Sequence, residues 1–79
     1  MIELNTINAE RYTHELLSRE YRKDTRWTIG TATVKEYENG TPSLITVPFT
    51  LYAGNQGPIE YTMDVWAEPC LNGQLYGEF

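Results

Sequence analysis

The chain has 79 residues, of which 41% are hydrophobic and 13% aromatic, and its net charge is −5. A chain of this length forms one domain and buries only about 60% of the surface that its unfolded form exposes. Such a core leaves little room for a substrate pocket of several hundred Å³. A catalytic function is therefore disfavoured. Cys70 is the only cysteine, so the fold is expected to have no internal disulfide.

Targeting signals are not evident in the sequence. The first residues lack the basic and unbroken apolar regions of a signal peptide. The sequence also contains no run of about eighteen apolar residues, which is the length that a membrane-spanning helix needs. We therefore expect a cytoplasmic protein that does not contact a membrane.

The N-terminal region has the spacing of an amphipathic helix. Apolar residues recur every three or four positions from Ala9 to Tyr21, which predicts a helix over roughly 8–24. Asn8 is the expected N-cap, and Ile7 and Tyr12 are placed to pack together as a hydrophobic staple. Basic residues close the segment, where they oppose the negative end of the helix dipole.

Beyond Arg26 the pattern changes to the period of two that is typical of strands. Three runs are predicted as strands, at roughly 27–37, 43–53 and 58–68, and the tail 74–79 is a candidate fourth. Asn39-Gly40 is a strong hairpin signal between the first two runs. Pro48 interrupts the second run, because proline cannot donate a ladder hydrogen bond. A bulge near Pro48 is favoured over an edge position for this strand.

A two-residue turn at Asn39-Gly40 fixes a register. Val34 would then face Ile45, Gly30 would face Phe49, and Trp27 would face Tyr52. This register predicts one apolar face covered by the helix and one outward surface. In the third run the apolar residues alternate inward, and the inward set is Ile59, Tyr61, Met63, Val65 and Ala67.

The outward surface is the candidate binding site. It is predicted to carry aromatic and acidic side chains, and its expected contact residues are Trp27, Tyr52, Glu60, Asp64, Trp66 and Glu68. Tryptophan and tyrosine are enriched among binding hot spots. Two alternatives stay open: the C-terminal tail covers this surface, or the surface forms a homodimer.

Charge is divided unevenly along the chain. All six basic residues lie within the first 35 positions, and the chain from Glu36 onward has six acids and no lysine or arginine. The acids Glu60, Asp64 and Glu68 recur every four residues, so they are about 13 Å apart along a strand. DNA phosphates advance about 3.4 Å per strand step, so this spacing is too sparse for convincing nucleic-acid mimicry.

Direct nucleic-acid binding is also disfavoured. Arg19, Arg22, Lys23 and Arg26 form a basic cluster beside Trp27, but acids interleave with it and the chain is acidic overall. His14 and Cys70 are single residues that nothing in the sequence brings together, so no catalytic site, metal site or cofactor is expected.

These observations predict an α+β fold, with one N-terminal helix packed on a three- to four-stranded antiparallel meander. The favoured function is a non-catalytic protein-interaction module whose partner is another protein with a basic surface. One concrete form is a phage-encoded inhibitor of a host nuclease or nucleic-acid-binding protein, similar in role to an anti-CRISPR protein. The alternative is a small assembly protein that homo-oligomerises through the exposed sheet.

Overall fold

The fold is one helix on a five-stranded antiparallel sheet. The computed structural model describes residues 3–21, 25–54, 57–68 and 74–78. Its elements are, in chain order, α1 (Thr6–Glu20), β1 (Thr25–Ile29), β2 (Thr33–Glu38), β3 (Thr41–Ala53), β4 (Ile59–Glu68) and β5 (Gln74–Glu78). The long strand β3 is central: β1 and β2 pair in succession along one side of it, and β4 followed by β5 lies on the other. The predicted α+β class is confirmed.

Helix α1 begins earlier than the sequence indicated. Asn5 is the N-cap, and its side-chain oxygen accepts a hydrogen bond from the backbone N–H of Asn8 at 2.8 Å. The prediction of Asn8 as the cap was wrong, because its side-chain amide instead donates to the carbonyl of Glu3 at 2.7 Å. Ile7 is thus inside the helix and 69% exposed, so the predicted staple is wrong as well.

The helix also ends earlier than predicted. The last helical residue is Glu20, and the backbone N–H of Tyr21 donates to the carbonyl of Leu17 at 3.0 Å. Of the basic residues expected in the last turn, Arg19 is there, and Arg22 and Lys23 lie outside the described residues.

The first predicted strand is divided into β1 and β2 by a bulge. Ile29 lies opposite Phe49 and Thr33 lies opposite Thr46, so three residues of one strand face two of β3. This extra residue shifts the register of β1 by one position. Because side chains alternate between the two faces of a sheet, the shift turns every side chain of β1 to the opposite face from the predicted one.

Pro48 explains where the bulge lies. Gly30 donates its backbone N–H to the carbonyl of Pro48 at 2.8 Å, which shows that the backbone of Pro48 points toward the β1 side. A non-proline residue at position 48 would donate its own N–H back toward Gly30. Proline has no N–H, so this ladder bond is missing at the place where the bulge begins. The predicted bulge near Pro48 is confirmed. The predicted pairing of Gly30 with Phe49 is wrong, since Ile29 takes that place.

The helix holds the bulge in place. The backbone N–H of Ala32 is left without a ladder partner and donates to a carboxylate oxygen of Glu10 at 2.9 Å. Ala32 is 6% exposed, so an unpaired donor there would cost free energy. This contact ties the middle of α1 to the irregular part of the sheet.

The Asn39-Gly40 hairpin has the predicted register at both ends of β2, but the pairing is irregular around Glu36, which lies opposite Leu44. Asn39 and Gly40 both have positive φ, 53° and 78°, as a two-residue hairpin turn requires. Val34 lies opposite Ile45. The tail forms the predicted extra strand, β5, beside β4.

The core lies between α1 and the inner face of the sheet. Ala9, Thr13 and Leu17 recur every four residues along α1, and each is fully buried. The hydroxyl of Thr13 donates to the carbonyl of Ala9 at 2.8 Å, which satisfies a buried polar group. The sheet supplies the rest of the buried apolar side chains, mainly Ile45, Val47, Phe49, Leu51, Met63, Val65 and Leu75.

Candidate functional site

We define the outer face as the sheet surface turned away from α1. On β3, β4 and β5 it consists of the side chains that alternate with the buried ones, and they are Thr46, Pro48, Thr50, Tyr52, Glu60, Thr62, Asp64, Trp66, Tyr76 and Glu78. The strand period of two produces this division, because the side chains that alternate with them are buried from Ile45 to Leu51 on β3 and at Met63 and Val65 on β4.

Trp66 lies on the outer face, as predicted, and is stacked on Tyr76 of the neighbouring strand. The ring centroids are 6.4 Å apart and the rings are inclined by 23°. The two residues are directly opposite in the β4–β5 ladder, and both are half-buried. Aromatic pairs of this kind add about 0.5–1.5 kcal/mol beyond the area that they bury. The pair therefore forms a firm apolar platform at one end of the outer face.

The described part of the tail does not cover the outer face. Residues Gln74–Glu78 form strand β5 at the edge of the sheet. The tail instead widens the outer face and adds Tyr76 and Glu78 to it. The sequence had left open whether the tail folds across this surface.

Acidic residues occupy the middle of the outer face. Asp64 lies opposite Glu78 in the β4–β5 ladder, and Glu60 lies opposite Thr50 in the β3–β4 ladder. The hydroxyl of Thr46 donates to the Asp64 carboxylate at 3.1 Å. Glu68, also predicted here, lies opposite Gln74, and the structure describes the side chain of neither.

The charge of this region is one-sided. Strands β3, β4 and β5 contain no lysine or arginine, so Asp64 and Glu78 have no cation on their own or adjoining strands in this half of the sheet. Like charges directly opposite each other in a sheet are destabilising. The placement of Asp64 opposite Glu78 is therefore expected to oppose folding slightly.

Tyr52 lies on the outer face at the opposite end from Trp66 and is 41% exposed. Its neighbour across the ladder is Arg26 of β1. The basic side chain borders the outer face at this corner, which the sequence-based register had assigned to Trp27.

Trp27 is the predicted site residue that the structure places elsewhere. It lies opposite the buried Leu51, so it belongs to the helix side of the sheet and not to the outer face. Its indole N–H donates to Nδ1 of His14 at 3.2 Å, and the two rings are 5.7 Å apart. The one-residue bulge between β1 and β2 is the cause of this difference.

The pairing of Trp27 with His14 was missed by the sequence analysis. The two residues are 13 positions apart, and only the docking of α1 beside β1 brings them together. Cys70, the other residue considered for chemistry, lies outside the described residues. The described part of the chain holds no group of three or more residues able to bind a metal ion.

Two open cavities adjoin the sheet. One, of about 450 Å³, is lined by residues of β1, β3 and β4 around Gly30, Pro48 and Glu60. The other, of about 480 Å³, is lined by His14, Thr25, Arg26, Trp27 and Ile29.

Comparisons with known proteins add no relative. A scan against protein-family models found no match, and searches of curated proteins and of solved structures found none either. The helix that the structure describes is too short and too polar to cross a membrane.

Proposed function

We propose that this chain is a non-catalytic interaction module that docks its outer face on a basic surface of another protein. The observation that carries the proposal is the composition of this face. A stacked tryptophan–tyrosine pair lies at one end and a tyrosine at the other. The carboxylates of Glu60, Asp64 and Glu78 lie between them, on strands that contain no lysine or arginine. Rigid aromatic side chains are the usual anchors of protein interfaces, and complementary charge speeds the encounter between partners.

The acidic residues support a basic partner. Asp64 and Glu78 face each other across β4 and β5, and a cationic side chain from a partner would relieve their repulsion. Association of this kind is faster at low ionic strength, because salt screens charges beyond about 10 Å at 0.1 M. We therefore propose a partner whose binding weakens with added salt.

The concrete form that we propose is an inhibitor of a host nuclease or nucleic-acid-binding protein, encoded by a phage and acting as anti-CRISPR proteins do. Such targets present basic grooves, and an acidic face can occupy them without copying the phosphate spacing. This form of the proposal is supported by the size and charge of the chain. Direct binding of nucleic acid by the outer face is opposed by its charge.

Self-association through the outer face is the weaker candidate. Two copies that met through this face would bring Glu60, Asp64 and Glu78 toward their own counterparts. Like charges in a contact cost free energy unless cations separate them. Arg26 borders this face at the corner beside Tyr52, and strands β3, β4 and β5 contain no lysine or arginine to separate the acids.

The test is affinity capture with the wild-type chain and two alanine variants. Trp66→Ala removes one half of the stacked platform, and Ile7→Ala removes an apolar side chain that is 69% exposed on α1, away from the outer face. We expect a basic protein to bind the wild type and Ile7→Ala equally. Trp66→Ala should weaken binding by about 1 kcal/mol or more, as hot-spot residues do.

Folding of each variant is checked by circular dichroism and urea titration. Trp66→Ala should stay folded, although it loses both the roughly 0.5–1.5 kcal/mol of an aromatic pair and the partly buried apolar area of the indole. Equal capture by all three proteins would show that the outer face is not the docking surface. A stable dimer that dissociates on Trp66→Ala would favour self-association instead.

A further inference from the structure

Strand β1 presents an open edge beside the helix. It is the terminal strand of the sheet path, and β3 is the strand with which it pairs among the described residues. In an extended strand, the N–H and C=O of one residue point to the same side, and successive residues alternate. Gly30 donates to Pro48 on the β3 side, so Thr28 and Arg26 point there too. The backbone groups of Thr25, Trp27 and Ile29 thus face outward from the sheet edge.

A groove runs along this edge between β1 and α1. It has a volume of about 480 Å³ and is lined by His14, Thr25, Arg26, Trp27 and Ile29. The outward-pointing backbone groups and the groove belong to the same short strand. A strand that added to this edge would form ladder hydrogen bonds with Thr25, Trp27 and Ile29 and place its own inner side chains in the groove.

The apolar wall of the groove is already ordered. The Trp27 indole is held by the hydrogen bond to His14, and both Trp27 and Ile29 are half-buried beside the core. A surface that needs no rearrangement binds more tightly, because the entropy of ordering it has already been lost on folding. Apolar side chains are thus the best fit for the positions opposite Trp27 and Ile29.

The charge of Arg26 determines which residue of an added strand suits the position opposite it. Arg26 is the one permanently charged residue among the five that line the groove, and its side chain is exposed. Residues directly opposite in a ladder share a face, and opposite charges there are favourable. The residue facing Arg26 on an added strand is therefore best filled by glutamate or aspartate.

We propose that β1 accepts an extended segment of another protein as an added strand, with apolar residues opposite Trp27 and Ile29 and an acidic residue opposite Arg26. The groove lies on the helix side of the sheet, and Arg26 borders both this site and the outer face. The two sites differ in charge preference: the outer face suits a basic surface, and the β1 edge suits an acidic, apolar strand. The N-methylated peptide tests the β1 edge without any change to the outer face.

The probe is a capped seven-residue peptide, Thr-Val-Thr-Val-Glu-Val-Thr, whose alternation matches β1 in antiparallel register. Two related peptides replace the central valine by leucine or phenylalanine. Binding is followed by NMR titration of the full chain, with the amides of β1 and the indole N–H of Trp27 as reporters. A control peptide carries an N-methyl group on the central valine, which removes one ladder donor without changing charge.

We expect shifts centred on Thr25–Ile29 and loss of binding on N-methylation. Arg26→Glu should weaken binding roughly fivefold to tenfold, the range for reversing one exposed charge pair. A peptide with lysine in place of glutamate should restore it. Lys35→Glu is the matched control, because it makes the same charge change on β2 outside the groove. It should leave the affinity unchanged.

The proposal is overturned if none of the three peptides binds. It is also overturned if binding shifts the signals of the outer-face residues Trp66 and Tyr76 and leaves those of β1 unchanged, or if Arg26→Glu and Lys35→Glu weaken binding equally. Concentration-dependent protection of the β1 amides in the free protein would also overturn it, since a second copy of the chain would then occupy the edge.

Discussion

The two faces of the sheet differ in what fixes their side chains. On the helix side, the side chains are those that pack in the core: Val47, Met63 and Val65 are fully buried. The Ala32 N–H there donates a hydrogen bond to the Glu10 carboxylate. On the outer face the same strands carry threonines, a stacked aromatic pair and carboxylates that face each other. Stability therefore depends on one face, and the other is free to carry charge that does not help folding.

The largest expected effect lies on the helix side. Leu17→Ala removes a fully buried side chain of α1, and the cavity left behind should lower the free energy of unfolding by about 2–5 kcal/mol. Arg11→Ala, exposed on the same helix, should change it by no more than about 0.5 kcal/mol. Urea titration measures both. Similar losses for the two variants would mean that α1 does not pack as described.

A second prediction concerns the contact between β5 and the helix. A Cβ at Gly77 would lie 2.7 Å from Cε1 of Tyr12 and 2.9 Å from Sδ of Met63. Gly77→Ala should therefore destabilise the fold by about 1–3 kcal/mol through overpacking. Gly57→Ala is the matched control, since an added Cβ there meets nothing within 4 Å. Equal urea midpoints for the two variants would place β5 away from α1.

The sequence predicted which side chains of β4 face the helix and which face outward. It did not predict the bulge between β1 and β2, and the side chains of β1 were therefore assigned to the wrong face. The period of two in β4 assigned Met63 and Val65 inward and Trp66 outward, and the structure agrees. Ile59 and Tyr61, also predicted inward, lie opposite buried residues of β3 but are 37% and 39% exposed. Such patterns are local, so one strand contains all the information. The placement of Trp27 depended instead on counting residues across the Asn39-Gly40 hairpin. One extra residue between β1 and β2 reversed its face.

The signal for the bulge was present but incomplete. Pro48 showed that a ladder bond must be missing, and Gly30 is the residue on the opposite strand that leaves room for the proline ring, since a Cβ there would lie 3.0 Å from Cγ of Pro48. Neither residue indicates whether the extra residue precedes or follows Gly30. The helix favours its position after Gly30, because Glu10 of α1 supplies the acceptor for the backbone N–H of Ala32.

A third prediction tests this contact. Glu10→Ala leaves the Ala32 N–H without its acceptor and should cost about 1 kcal/mol, the lower part of the penalty for an unpaired donor, since the site is only partly buried. Glu10→Gln keeps an acceptor and should cost less. Hydrogen exchange of the Ala32 amide reports on the site directly. Exchange that is equally slow in wild type and Glu10→Ala would contradict the role of Glu10.

The smallest expected effect lies on the outer face and has the opposite sign. Asp64→Asn removes the repulsion with Glu78 across the ladder and should stabilise the fold by a few tenths of a kcal/mol. The gain should shrink as salt is added, because screening already weakens the repulsion. Glu60→Gln, which faces Thr50 instead, should give no comparable gain. A loss of stability in Asp64→Asn would mean that the carboxylate supports the fold.

The central claim is that charge on the outer face serves binding and not folding, and paired charge reversals test it most directly. Glu60→Lys with Glu78→Lys changes two exposed acids of the outer face, and Glu15→Lys with Glu20→Lys makes the same net change on α1. Partner capture and urea midpoint are measured for both double variants. We expect both to stay folded and only the outer-face variant to lose its partner. Equal retention of the partner by both variants, or unfolding of the outer-face variant alone, would contradict the claim.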